Sequence, residues 1–268
     1  MRINMRINMR KFFYSLPLTC LLLLCAAVTF ADNGTELKAY DWQGSINNKI
    51  PVSIWVEIKD GLVVGEIVYL NSSAKTPIRL LGTIEDKNLD INEMLPDGTI
   101  SGVISGIISG DNFTGTWSAP QKITKDTRGN FNSTEGKSFP MSLSKGVAAH
   151  TPFSWDFIPS GLMGKYCYSW GEYGYNGTIV LKAPGNEYTH VEYEIDSFTS
   201  APSFNMAVTG PQQGEITGNR LLNELEEGCA FEMLFFNGFI VVRYLDGNNC
   251  FGYFGMNATV QGIFFKQP

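Results

Sequence analysis

Histidine is almost missing from this chain: His150 and His190 are the only two in 268 residues. A Ser-His-Asp arrangement would need one of them beside a serine held in a strained turn, and no G-x-S-x-G occurs. Long apolar stripes at the helical period of 3.6 are missing as well, which argues against a helical bundle. The one strongly apolar run, around Leu21-Leu22-Leu23-Leu24, is short for a bilayer span of ~20 residues. Nothing in the pattern therefore points to a hydrolase triad, a helical fold or a membrane helix.

That apolar run has another use. Arg2, Arg6, Arg10 and Lys11 precede it, and small residues follow it to Thr29-Phe30-Ala31. This is the order of a secretory signal peptide with cleavage after Ala31. Thr19 and Leu24, which precede Cys20 and Cys25, do not suit a lipid-anchor signal. Removing residues 1–31 takes four of the 20 basic residues and none of the 26 acidic ones, leaving 16 against 26, a net charge of −10. Such a chain repels nucleic acid and anionic lipid, and its field favours cationic partners. The expected location is periplasmic or extracellular, with no transmembrane span in the mature chain.

Three cysteines survive processing. In an oxidising compartment Cys229 and Cys250, which bracket a predicted hairpin, form the expected pair, with Cys167 left over and its pairing with either one still open. An unpaired Cys167 reads as a small buried hydrophobe before it reads as a nucleophile.

The remaining pattern is that of strands. Val52, Ile54, Val56 and Ile58 alternate with Ser53, Trp55, Glu57 and Lys59. Ile100, Ile104 and Ile108 share a side with Gly102 and Gly106 in a stretch that Asp97-Gly98 opens and Gly110-Asp111-Asn112 closes, and Phe113 to Ser118 runs back as its partner. Glycines on that side let a neighbouring sheet or large side chain approach the backbone. Between Gln121 and Lys137 lies a polar insertion with Lys122, Lys125, Arg128 and Lys137, read as a loop. Strands follow at Tyr166–Trp170, Gly177–Lys182, Val191–Ile195 and Phe204–Val208, with a short helix or turn at Arg220–Glu227. Cys229 to Phe235 turns at Asn237-Gly238 into Phe239–Leu245, and Met256 to Phe264 forms a terminal strand. The fold class is all-β, with two antiparallel barrel-like or sandwich-like domains after the leader, at 32–145 and 146–268.

Two resemblances attach to these residues. Ile78-Arg79-Leu80-Leu81-Gly82, Asp90-Ile91-Asn92-Glu93, Gly98 with Ser101-Gly102, and Phe113-Thr114-Gly115-Thr116-Trp117 together resemble a family of uncharacterised exported bacterial β-proteins, over roughly Trp42 to Ser144. The pattern is I-x-L-x-G, an acidic L-x-E, G-x-x-x-G and a closing G-T-W; it implies an antiparallel barrel-like domain and carries no activity. The tail, with Cys250, Gly255, Val260, Gly262 and Phe264, is similar to endings of small exported bacterial proteins, some found next to lysozyme-inhibitor-like modules. Phe251 stands here in place of a glycine and Phe264 in place of a tyrosine.

The search for chemistry gives no catalytic set, metal site or cofactor. Ser72–Lys75 and Ser142–Lys145 match S-x-x-K, but at strand ends and not at a helix start. Asp86, Asn88, Asp90 and Asp97 have part of a calcium-loop spacing, with Ile91 where the sharp turn needs glycine. Glu192, Glu194 and Asp196 share one strand face and read as a solvated row. Six N-x-S/T triplets follow from an Asn/Ser/Thr-rich surface. One aromatic run stands out as a ligand-binding candidate: Tyr166, Tyr168 and Trp170 on one strand face, with Tyr173 and Tyr175 in the Gly-rich turn beyond. Such rings stack on sugar, make a protein contact, or fill a core. The expected function is an exported, non-catalytic binding protein of the bacterial cell envelope, with inhibition of a lysozyme-type hydrolase as one version. The alternative is a carbohydrate-binding or carbohydrate-active β protein.

Overall fold

The computed structural model describes residues 36–147, 150–185, 188–225, 228–245, 250 and 252–268. The segment expected to be a leader, residues 1–31, lies outside the described residues. Residues 35–268 make one compact unit that contains a closed barrel and a curled second sheet.

The first half runs as β1 (Lys38–Ile46), β2 (Ile50–Lys59), β3 (Leu62–Tyr69), β4 (Ile78–Glu85), β5 (Asn88–Met94), β6 (Ile100–Ser109), β7 (Asn112–Ser118), β8 (Lys122–Lys125), β9 (Phe131–Thr134) and β10 (Ser138–Lys145). Strands β1 to β7 pair each with the next, and β10 pairs with both β7 and β1 to close an eight-stranded up-and-down barrel. Closure leaves the barrel no free edge. Residues that need a positive φ make the tight turns. Asp60 (φ 53°) and Gly61 (φ 77°) link Lys59 to its partner Leu62 in a two-residue hairpin of the kind that matches strand twist. Asp86 (φ 56°) does the same service between β4 and β5, so the partial calcium spacing is a turn followed by a strand whose Leu89 and Ile91 point into the core.

Eight strands enclose just enough room for side chains. Trp42, Ile54, Val56, Leu80, Ile91, Ile104 and Phe113 fill it. Gly106 lies opposite Gly115, and a Cβ on either would come within 2.6 to 2.8 Å of the Phe113 ring. The glycines thus give up side-chain volume so that one large ring occupies the space. Ile100 departs from the expected side. It joins Met94 outside the barrel, because the β5–β6 register shifts between Glu93 and Met94 and a bulge reverses which residues face in.

The polar insertion is not a plain loop. Strands β8 and β9 pair over four residues, and Ala119 N–H donates to Lys137 O (2.8 Å) at the neck of this arm. Asp126 Oδ1 accepts the N–H groups of Arg128 and Asn130 at its tip; these bonds hold the Asp126 carboxyl below its ordinary pKa, Asn130 foremost.

The second half runs through a 3-10 turn at Pro159–Gly161 into β11 (Gly164–Ser169), β12 (Asn176–Lys182), β13 (His190–Phe198), β14 (Met206–Val208), β15 (Gln212–Glu215), β16 (Arg220–Glu224), β17 (Ala230–Phe236), β18 (Phe239–Tyr244) and β19 (Gly262–Lys266). Their order is β14-β13-β12-β11-β19-β18-β17-β16, with β15 also on β13. Tyr166, Ile179, Tyr193, Phe231, Phe235 and Phe264 fill its concave side. Two expectations need correction. Arg220–Glu224 is a strand, not a helix or turn, because Leu221 is buried while Leu222 is exposed, a period of two; Glu226 and Glu227 lie outside the described residues. The terminal strand spans only Gly262–Lys266, since the chain before it spends its bonds on other loops: Gly255 N–H donates to Met206 O and Ala258 N–H to Gly255 O. Cys229 and Cys250 are disulfide-bonded across the open end of the β17–β18 hairpin.

A third cluster joins the two halves. Leu62, Val64, Leu81, Met94 and Ile100 on the barrel's outer face meet Phe236, Phe239 and Val241 from β17 and β18. The linker straps over it: buried Glu57 accepts Phe153 N–H (3.2 Å) and Trp155 Nε1–H (2.8 Å). The turn before β6 touches the far sheet, with Ser169 N–H donating to Gly98 O (3.0 Å). Among the described residues no helix is long and apolar enough to cross a membrane.

Candidate functional site

Strand β13 carries two faces by its alternation. Val191, Tyr193, Ile195 and Ser197 point inward; Glu192, Glu194, Asp196 and Phe198 point outward. Edge strand β14 extends the outward face, with Met206 opposite Phe198 and Val208 opposite Asp196, while Ala207 takes the buried place opposite Ser197. Met206 is 56 % exposed and Val208 and Phe204 are more than a third exposed. Asn205 Nδ2–H donates to Met256 O (2.6 Å), which sets Met256, 78 % exposed, beside the same edge. The result is an apolar patch of Met206, Val208, Phe204 and Met256, with Asp196 opposite Val208 and the carboxylates of Glu194 and Glu192 further along the same face of β13. Clustered exposed apolar residues with a polar rim mark an interaction surface, and methionine suits one because its side chain adapts in shape.

The aromatic run divides between core and surface. Tyr166 is fully buried and donates its hydroxyl to Leu162 O (2.5 Å); desolvation pushes its pKa up to about 12. Tyr168 packs edge-on against Phe264 (5.0 Å), and burial raises its pKa too. Trp170 and Tyr173 line a cleft of about 450 Å³ whose opposite wall is Gln121, Lys122 and Lys125 of the arm. Tyr175 is 47 % exposed. The arm is seated by Phe131, whose ring meets Tyr173 (5.3 Å) and Phe204 (5.6 Å) edge-on. A contact of two elements about forty residues apart thereby builds a cleft that neither forms alone.

A larger cleft, about 870 Å³, separates the barrel from the linker and includes Trp55, Glu66, Arg79 and His150. His150 Nδ1 lies 3.1 Å from Asp41 Oδ1, and its ring stacks on Trp55 (4.6 Å). Glu66 accepts from both Trp55 Nε1–H (3.3 Å) and the Arg79 guanidinium (3.3 Å). His150 thereby ties the linker to β1 and β2. His190 sits at the start of β13, on the other half of the chain.

The barrel holds a buried carboxylate that sequence reasoning did not single out. Glu93 is 1 % exposed; Oε1 accepts Tyr69 Oη–H (2.6 Å) and Trp117 Nε1–H (2.9 Å), and Oε2 accepts Ser101 Oγ–H (3.2 Å). Desolvation raises the Glu93 pKa against the opposing pull of these three bonds, and it raises that of Tyr69 as well. A Cβ on Gly102 would sit 2.4 Å from Trp117 Nε1 and 2.7 Å from Glu93 Oε2. Glu93 of β5, Gly102 of β6 and Trp117 of β7 thus meet at one point inside the barrel. Cys167, a free thiol, lies 3.2 Å from Asp97 O, and burial pushes its pKa up.

No protein-family model, no curated protein and no solved structure matches this chain. Among the described residues no group of three or more His, Cys, Asp or Glu side chains is placed to hold a metal ion.

Proposed function

We propose that this chain is an exported, non-catalytic interaction protein of the bacterial cell envelope that binds a cationic protein through the outer face of β13 and β14. The observation that carries this reading is the exposed Met206–Val208–Met256 patch beside the carboxylate row Glu192–Glu194–Asp196. The apolar centre supplies burial on docking, and the acidic border supplies partner choice and a faster encounter, since complementary charge acts on association more than on final affinity. The net charge of −10 after leader removal acts in the same direction over distances set by the ~8 Å Debye length of physiological salt.

Lysozyme, a cationic cell-wall hydrolase, is the specific partner tested first. Purified residues 32–268 in excess should slow its lysis of cells, and replacing Glu194 and Asp196 by lysine should abolish that slowing. An unchanged lytic rate at excess protein removes lysozyme as the partner. Inhibition that survives both the E194K/D196K change and Met206→Lys removes this face.

A further inference from the structure

The cleft between the arm and the Trp170 turn adjoins the apolar patch through the Phe131–Phe204 contact, and its charge is opposite to that of the carboxylate row. It is lined by Trp170 and Tyr173 on one side and by Gln121, Lys122 and Lys125 on the other, with Glu172 at its rim. The arm that supplies the lysines, residues 119–137, has four basic residues against Asp126 and Glu135 on a chain that is otherwise strongly acidic. Lys125 Nζ lies 5.5 Å over the Phe131 ring, which holds its ammonium at the seam where arm and turn meet.

We infer that this cleft binds a carboxylate-bearing oligosaccharide. A sugar ring has an apolar face of C–H groups and an edge of hydroxyls. Trp170 and Tyr173 offer apolar plates for the first, each with a polar tip. The Gln121 amide, which both donates and accepts, and the Glu172 carboxylate suit the second. Lys122 and Lys125 both line the cleft, against the single carboxylate of Glu172; a uronate carboxylate balances the remaining positive charge through charge-assisted bonds. The volume, about 450 Å³, falls within the range of small-ligand sites, roughly 300–1,000 Å³. An added peptide strand fits less well. Pro120 offers no N–H along that wall, and lysines on a strand such as β8 are what keeps a free edge from pairing. This site goes beyond the protein-binding reading and does not depend on it.

The test is titration of residues 32–268 with trigalacturonate and with the neutral maltotriose, followed by tryptophan fluorescence and calorimetry. Trigalacturonate should bind saturably and at least tenfold more tightly than maltotriose, and more weakly as salt rises. The K122A/K125A variant, changed only on the exposed arm, should lose that binding at least tenfold with an unaltered melting temperature. Trp170→Phe should weaken it and remove the fluorescence response. The inference is overturned by no saturable binding at millimolar trigalacturonate, by equal binding of maltotriose, by binding that survives K122A/K125A, or by equally tight binding of an oligoglutamate peptide.

Discussion

The barrel and the second sheet are built from the same alternating pattern but end their hydrogen-bond ladders differently. The barrel closes on itself when β10 meets β1, and it satisfies the carboxylate of Glu93 with three donors. The second sheet curls without closing; it ends in β14 and β16, relies on the Cys229–Cys250 bond, and among the described residues leaves the buried Tyr193 hydroxyl without a partner. The contrast teaches where a β protein has surface to spare. A closed ladder uses every backbone group, whereas an open one has edges, and Met206 and Val208 lie exposed along one of them.

The strongest way to break the comparison is to cut the covalent bond. Cys229 and Cys250 are 21 residues apart, and closing a loop of that length stabilises by about 3 kcal/mol in the chain-entropy model. C229S/C250S should therefore lower the unfolding free energy of the second sheet by that order. Its core probes should melt before the barrel tryptophans. A single unshifted transition would show that the two halves unfold as one and that the bond is dispensable.

Two tyrosine-to-phenylalanine changes should have opposite signs. Tyr69→Phe removes a hydroxyl that donates to a carboxylate, and such bonds contribute about 1.5–3 kcal/mol, so the barrel should lose about 2 kcal/mol. Tyr193→Phe removes a hydroxyl that finds no partner among the described residues. Relieving a buried, unpaired polar group should leave the protein unchanged or more stable by about 1 kcal/mol. Chemical denaturation of both variants reads the difference directly, and equal losses would erase the distinction between the two interiors.

Glu93 sharpens it through pH. Its folded pKa lies above the ordinary 4.5, so as pH falls from neutral the folded state takes up this proton before the unfolded state does. Stability from this group thus rises on acidification through the folded pKa and levels off below the unfolded one. Glu93→Gln keeps an acceptor for Tyr69 and Trp117 and turns the other atom into a donor toward Ser101. It should be at least as stable as the parent at pH 7 and lack this rise between neutral pH and about 4.5. Glu93→Ala should instead cost a few kcal/mol, because it takes the acceptor from three donors and opens a void.

How much of this the sequence shows depends on how local the cause is. The β2 alternation of Val52, Ile54, Val56 and Ile58, the Asp60-Gly61 turn and the Cys229–Cys250 pair are legible because each is decided within a few residues or by simple pairing. Ile100 misleads, since the bulge that turns it outward is set by pairing with β5. Arg220–Glu224 misleads because two adjacent leucines suit helix or strand equally until one of them is seen to be buried. The arm reads as loop since a two-stranded hairpin with lysines has no buried face to mark it; its seat, Phe131 on Tyr173 and Phe204, is a long-range contact. Glu93 is hidden for the same reason, with Tyr69 and Trp117 each 24 residues away along the chain.

The smallest expected effect concerns the edge itself. Period two says that Met206 and Val208 share a face and Ala207 takes the other, but not which face is inside. Residue size suggests the wrong answer, and the small alanine is the buried one because it lies against Ser197 on a crowded concave side. If the exposed pair exists for a partner and not for the fold, replacing both with threonine should change stability by no more than about 0.5 kcal/mol, as for surface positions generally. Threonine keeps the β-propensity of the strand while it reduces the apolar area that these two positions offer outward. A loss above about 1.5 kcal/mol would mean that these side chains hold β14 in place, and the open edge would then be a structural seam like those of the barrel.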